Sequence, residues 1–456
     1  MTSAQLNTAP TVQWGEREFS IEDSARRAVS AITEMGLTAQ LRYYGGDPTV
    51  WRCDLFDDGR PVHAGIGFGK GGIGGARVGA LYEAVEHHVT QQRGFAAHTV
   101  ELRCCGQVAQ SVLASEPYAG ILAAQPDQLI ACRVYRQLGG TDTLAVPLFL
   151  SNVWWVEDEA APMRAARGDT TDYSALARYS SNSGCAIGGS LAEALVHAIN
   201  EAIERDAMSL FLARTFLAAA PAPPGFLATD TLPPELGDLL ERVQSRVGRE
   251  VWLIDLTSDL GVPTTLAYAR GLSGPHLRGC GTSLSRHYSI ERALTELLQA
   301  ALVPPDSGSV NVIERLAAYP VLQAAAAVEL DAPTAAVPGV PYIDTPAARS
   351  PDQHLHRLLR ALASRGFTPY FSRVHAAANG ITTVHVHIFG LERFNIVCEG
   401  SAVVPGQRAL ATAHQPAPVT TIPAICSGRT RVLSRIPMRP FVAMHEARVG
   451  EHDAQE

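Results

Sequence analysis

With 456 residues, 46% hydrophobic and 18% charged, the chain is long enough for two or more cores and too apolar for wholesale disorder. A formal net charge of -8 argues against broad nucleic-acid binding, and no apolar run reaches membrane-spanning length. Eight cysteines without paired spacing (Cys53, Cys104, Cys105, Cys132, Cys185, Cys280, Cys398, Cys426) read as free thiols, and the first residues lack a signal-peptide pattern, so a cytoplasmic location is expected.

Taken in chain order, residues 1–15 are expected to be disordered and 16–66 to form a helix–strand lobe. That lobe has a helix over Ser20–Met35, strands at Ala39–Tyr44 and Val50–Phe56, and a turn at Asp57-Asp58-Gly59. Residues 67–215 are expected to hold a glycine-rich loop, a first acidic helix, strands at Leu129–Tyr135 and Leu144–Leu150, and a second acidic helix. The proline-rich connector AAAPAPPGFLATDTLPPE follows. Residues 216–303 read as a helix (LGDLLERVQSRV), two strands (VWLIDLT, TTLAYARGL) and a third acidic helix. The Pro/Ala-rich stretch 304–350, with a short helical piece at its centre, is expected to be a lid or a peptide-contacting loop. Residues 351–456 read as a C-terminal α/β segment and tail. In its strand TTVHVHIF, His385 and His387 alternate on one face, as on a half-exposed strand.

The acidic helices carry the chemistry. In SLAEALVHAINEAIERD, Glu193, His197, Glu201 and Glu204 fall in one stripe of about 80°, with apolar residues on the rest of the wheel. Glu83-Ala84-Val85-Glu86-His87 mirrors Glu201-Ala202-Ile203-Glu204-Arg205 about 118 residues away, which reads as two related units facing a shared site. In SIERALTELLQAAL, Arg292, Glu296 and Gln299 share one face. No lysine stands at helical spacing to neutralise these acids, as a solvated acidic face usually has. Hard carboxylate oxygens suit magnesium bound jointly with substrate phosphates. Neither Cys-x-x-Cys nor His-Glu-x-x-His occurs to favour a transition metal. GFGKGGIGG fits neither a Walker sequence nor a dinucleotide fingerprint; it is either a turn that receives an anion or a purely structural one.

The GKG turn before an ExxE helix, SSNSGCAIGGSLAEALVHAINEAIERDA (Ser180–Ala207) and ALTELLQ (Ala293–Gln299) together resemble the YcaO superfamily. GEREFSIEDSARRAVSAITEMGL resembles its first helix, and NIVCEGSAVVPGQ (Asn395–Gln407) its late strand with a proline-glycine corner, so the likeness spans roughly residues 15–408. The resemblance implies an α/β, YcaO-type fold of mixed sheets, with amphipathic acidic helices lining a nucleotide site. It implies Mg2+ at Glu83, Glu86, Glu193, Glu201 and Glu204, and ATP at Arg17, Ser24, Glu83, Arg205, Glu296 and Gln299. Gly79, His87 and Gly189 stand where the family usually has serine, arginine and asparagine, and Arg17 where it often has lysine.

The implied activity is ATP-dependent activation of a backbone amide in a ribosomally made precursor peptide, with cyclodehydration of Cys, Ser or Thr to azolines as the expected outcome. Azoline-forming members often finish in Pro-x-Pro-x-Pro, whereas this chain finishes RPFVAMHEARVGEHDAQE. Thioamide or amidine formation, or a non-catalytic accessory role, are therefore the alternatives. No general base is assigned: His87 and His197 flank the acids, either as bases or as ordinary hydrogen-bonded neighbours. Expected partners are the precursor peptide, a leader-binding protein resembling the ubiquitin-activating-enzyme family or a TfuA-like protein, a flavin dehydrogenase and a second copy of the chain. No nucleic acid or membrane is expected.

Overall fold

The computed structural model describes residues 15–90, 100–271, 276–303, 312–333 and 339–414. These belong to one compact unit, Met1–Ala417. The second unit, Pro418–Glu456, lies outside the described residues, as do Cys426 and nearly all of the segment expected to be disordered. Gly15, at the end of that segment, is buried against Ala348.

Ser20 opens the first helix, α1 (Ile21–Glu34), its hydroxyl accepting from the Asp23 N–H, and Ala28, Ala31 and Ile32 form the buried stripe. An antiparallel meander follows: β1 (Thr38–Tyr43), β2 (Thr49–Asp57) and β3 (Arg60–Gly71). Asp58 and Gly59, both at positive φ, make the tight turn between β2 and β3. After α2 (Ile73–Thr90) come β4 (Val100–Cys104), α3 (Cys105–Ala109), α4 (Ala119–Ala123), β5 (Leu129–Gln137), β6 (Thr143–Pro147), α5 (Ala161–Arg167) and β7 (Cys185–Gly188). The long helix α6 (Leu191–Leu212) is followed by α7 (Pro234–Val247), β8 (Trp252–Asp255), β9 (Thr264–Ala269), β10 (Leu277–Thr282) and α8 (Arg286–Leu302). The last described elements are α9 (Pro320–Ala327), α10 (Pro351–Ala363), β11 (Pro369–Ala376), β12 (Thr382–Ile388) and α11 (Gln407–His414).

Beside the meander, β8, β9 and β10 form a second sheet, and a third runs β4-β5-β11-β12-β7 with β6 on β5. The pairs β3–α2, β7–α6 and β10–α8 share one construction, a glycine-bearing strand that turns straight into a helix lying on it. A Cβ at Gly67 or Gly69 would come within 2.1 Å of Ala84 N or 1.7 Å of Ala76 O. At Gly188 it would come within 2.4 Å of Ala194 N, and at Gly279 or Gly281 within 2.2 Å of Ala293 O or 2.3 Å of Ser289 O. These glycines let helix and strand backbones touch, which fixes where the polar edge of each helix points. Gly69→Ala is accordingly expected to destabilise the protein by about 3 kcal/mol, the upper end of overpacking costs, measured by denaturant unfolding.

Several sequence expectations change. GFGKGGIGG is not a loop, because Gly67–Gly71 lies on β3 and only the step to Ile73 turns; the lobe boundary at residue 66 thus cuts a strand. β12 is buried along its whole length, since it lies between β11 and β7 under α6, so His385 and His387 are core residues and not half-exposed. Phe394–Glu399 forms a 3-10 helix where a strand was expected, closed by Gly400 at positive φ. Leu316, Ala325, Ala326, Val328 and Leu330 are buried in the largest core, so this part of the 304–350 stretch is a core element and not a lid. Residues 304–311 and 334–338 lie outside the described residues. The described cysteines are all free, and no described helix is long and apolar enough to cross a membrane.

Candidate functional site

The polar edges of α2, α6 and α8 meet. At the end of β3, Lys70 Nζ donates to Glu296 Oε2 at 2.7 Å, and its charge also reaches Glu83. Glu86 lies within electrostatic reach of Glu201 and Glu83, and Glu204 within that of Glu296, Arg292 and Glu201. Arg205 curls back along α6 to Glu201 Oε1 at 3.4 Å and Glu204 Oε1 at 3.7 Å. Neutralising cations are therefore present, Lys70 from β3 and Arg205 at the i,i+4 position from Glu201, which corrects the expectation that these helix faces lack them. Glu83, Glu86, Glu201, Glu204 and Glu296 still outnumber Lys70, Arg205 and Arg292.

That excess is visible as proton affinity. Burial pushes the Glu83, Glu86, Glu201 and Glu204 carboxyls upward, and neighbouring carboxylates add to the effect at Glu86 and Glu204; Glu204 reaches about 7. Burial alone would raise Glu296 too, but the Lys70 ammonium holds it below the ordinary carboxylate range. A raised carboxyl adds stability below its unfolded-state pKa and loses it as pH rises through the folded value. Glu204→Gln, which mimics the protonated form, is therefore expected to match the metal-free wild type below about pH 4.5, to become increasingly the more stable as pH rises from there to about 7, and to keep a constant advantage above that. Paired calorimetry across that range checks this; a gap that does not grow with pH refutes it.

The residues fit Mg2+ and a polyphosphate. Glu204 Oε2, Gln299 Oε1, Arg205 Nε and Arg292 Nε are buried with no hydrogen-bond partner, leaving acceptors for a cation and donors for phosphate oxygens side by side. Among the described residues no three ligating side chains stand together as a metal cage. Magnesium does not need one, since it takes one or two carboxylates, substrate phosphates and water.

Other predicted residues sit at the edge of this cluster. Ser190 caps α6 by accepting from the Glu193 N–H, and the Glu193 carboxylate accepts from the Gly189 N–H at 2.9 Å and from the Glu18 N–H, with Arg17 Nη1 at 3.9 Å. Its oxygens thus hold the N-terminal arm on α6. Ser24, on α1, lies beside the Tyr82 phenol. His197 stays neutral, its pKa pushed well below the usual value by burial and by Arg292, Arg17 and Lys70. His87 Nδ1 is 2.6 Å from the Ile66 carbonyl and must donate to it, which turns Nε2 toward Glu83 Oε1 at 3.9 Å. At Gly189 a Cβ would come within 2.6 Å of the Phe19 ring, over which the Arg27 guanidinium lies at 3.9 Å. Phe19 thus fills the space an asparagine side chain would take. Gly79 lies against Gly69, where a Cβ would come 3.3 Å from its Cα. Sequence reasoning missed Lys70 and Arg292 as site residues. The signal for Arg292 was present, because it shares a helix face with Glu296.

A family model described as YcaO cyclodehydratase, ATP- and Mg2+-binding, matches residues 68–392. Among solved structures, a heterocyclase in complex with substrate and cofactor aligns with a TM-score of 0.59 at 17% identity, over 83% of this chain and 53% of that one. YcaO from Methanopyrus kandleri, bound with AMPPCP and Mg2+, aligns with a TM-score of 0.57 at 18% identity, over 86% and 97% of the two chains. These identities speak for the fold. A relative from Methanothermobacter thermautotrophicus, itself described as uncharacterized, is 39% identical over 125 residues, 26% of this chain and 31% of the relative. The chain thus spans about a third of that relative and about half of the heterocyclase. Because the family match takes in most of the chain, from the end of β3 past β12, this protein belongs to the YcaO family of ATP- and Mg2+-binding proteins.

Proposed function

We propose that this chain is an ATP- and Mg2+-dependent enzyme that activates backbone amides of a ribosomally made precursor peptide, cyclising Cys, Ser or Thr to azolines. One observation carries the reading: buried carboxylates and arginines from α2, α6 and α8 meet with unpartnered oxygens and N–H groups left over. Glu83, Glu86, Glu201 and Glu204 would hold Mg2+, which spreads the charge of a transferring phosphoryl group. Arg205, Arg292 and Lys70 place positive charge along the phosphates, and Gln299 offers its amide to the nucleotide. In the overall reaction a peptide side chain attacks the preceding carbonyl carbon, and the resulting oxyanion takes the γ-phosphoryl group of ATP. Phosphate then leaves with the former amide oxygen, and ADP is released. The chain's contribution is to position and to stabilise charge.

The departures at Gly79, His87 and Gly189 favour an accessory role only if nucleotide binding is lost, and the acids and arginines that would hold a nucleotide are intact. Mg2+-ATP is expected to raise the melting temperature, and ATP consumption with candidate Cys/Ser/Thr-rich peptides to yield a product lighter by one water. Oxygen-to-sulfur exchange in the product would instead assign thioamide formation, and no nucleotide-dependent shift at all would leave only the accessory role. A leader-binding protein resembling the ubiquitin-activating-enzyme family, or a TfuA-like protein, is the expected presenter of the peptide, with a flavin dehydrogenase acting on azolines afterwards.

A further inference from the structure

Next to the acidic cluster two arginines, Arg133 and Arg393, border one patch, and among the described residues neither forms an ion pair, although the Glu116 and Glu399 carboxylates lie within electrostatic reach of Arg393. Arg133 stands on β5 two residues before Tyr135, so both side chains leave the same face of the strand. The Tyr135 hydroxyl lies 2.8 Å from His385 Nδ1, and His385 Nε2 lies 3.1 Å from the Ser183 carbonyl. That carbonyl can only accept, so Nε2 carries the proton and Nδ1 accepts from Tyr135. His385 pairs across the sheet with Cys185, whose thiol faces the Ser151 carbonyl at 4.0 Å. Next to it, Arg393 Nη2 donates to the Leu150 carbonyl at 3.3 Å. Both guanidinium groups lie within electrostatic reach of Tyr135, His385 and Cys185, and Cys185 lies within reach of Glu86 and Glu201. The patch is thus a neighbour of the proposed metal site.

Arg133 is only 6% exposed, and among the described residues it has neither a hydrogen bond nor an ion pair; its Nε and the Nη1 of Arg393 are buried without partners. A buried guanidinium is costly unless an anion pairs with it, and the planar fork suits carboxylate or phosphate oxygens. We propose that Arg133 and Arg393 form a buried oxyanion-binding site beside the acidic cluster, whose ligand is a carboxylate of the peptide substrate or the phosphate released in the reaction. The identity of the anion rests on the amide-activation reading; the site itself does not.

The test uses the full chain without nucleotide, with inorganic phosphate and N-acetylglycine as separate probes in thermal unfolding. At least one probe raises the wild-type melting temperature, and Arg133→Met and Arg393→Met each weaken its apparent affinity by about tenfold or more. Arg205→Met keeps the effect, which separates this site from the nucleotide phosphates. Without probe, Arg133→Met melts higher than wild type, because an unpaired buried charge has been removed. A response to N-acetylglycine alone assigns the peptide carboxylate, to phosphate alone the released phosphate, and to both a site serving either. The proposal falls if neither probe shifts the wild type or if the shift survives in both variants. It falls equally if Arg133→Met melts lower or fails to fold, which would make the arginine structural. No step needs ATP, so a chain that fails to activate amides would leave this result standing.

Discussion

Replacing Glu201 and Glu204 together by glutamine is expected to lower ATP turnover by on the order of 10³-fold or more, with loss of the Mg2+-ATP-induced rise in melting temperature. Both side chains stand on one turn of α6, and both share Arg205. Glu204 is 4% exposed, with one oxygen lacking any partner. A buried oxygen in that state is held for something the protein alone does not supply. Glutamine keeps the volume and one acceptor for Arg205, while removing the charge that a divalent cation requires. The fold is expected to persist, because relief of carboxylate repulsion offsets the weakened pairing with Arg205. Steady-state ATP consumption and calorimetry on the same preparation read both halves. Turnover within a few-fold of wild type would show that these carboxylates hold no metal, and the proposed chemistry would fail with them.

Much of this site was legible because helical spacing survives folding unchanged. Glu83 with Glu86, Glu201 with Glu204, and Arg292 with Glu296 and Gln299 lie along helix faces, and those faces do meet. What periodicity does not report is the partner across the site. Lys70 and Glu296 are separated by 226 residues, so no local pattern joins them. Glycine was the other source of error. A run such as GFGKGGIGG reads as a turn, because glycine usually supplies positive φ. Gly67 and Gly69 are extended and serve instead to let α2 lie against β3, and the spacing of two between them, repeated at Gly279 and Gly281, was the available clue. His385 and His387 were misjudged for a related reason. Alternation on one strand says nothing about burial of the second face, which is decided by α6 and the neighbouring strands.

Lys70→Met is expected to lower kcat/KM for ATP by about 10²- to 10³-fold, the cost of removing one charged donor from a site where phosphoryl charge develops. The ammonium stands between Glu296 and Glu83 and keeps Glu296 ionised against its burial. Without it, only Arg205 and Arg292 oppose the burial of Glu296, whose pKa moves upward, so the variant loses a cation and holds the Glu296 carboxylate less firmly against protonation. The acid limb of its pH–rate profile therefore moves to higher pH, a shift that general loosening of the fold would not produce. Lys70→Arg is expected to recover only part of the rate, because a planar fork replaces a compact point charge at the end of a strand pressed against α2. If Lys70→Met leaves the acid limb where it is in the wild type, Lys70 and Glu296 are not coupled in the working enzyme, and the 2.7 Å contact is only a surface pair.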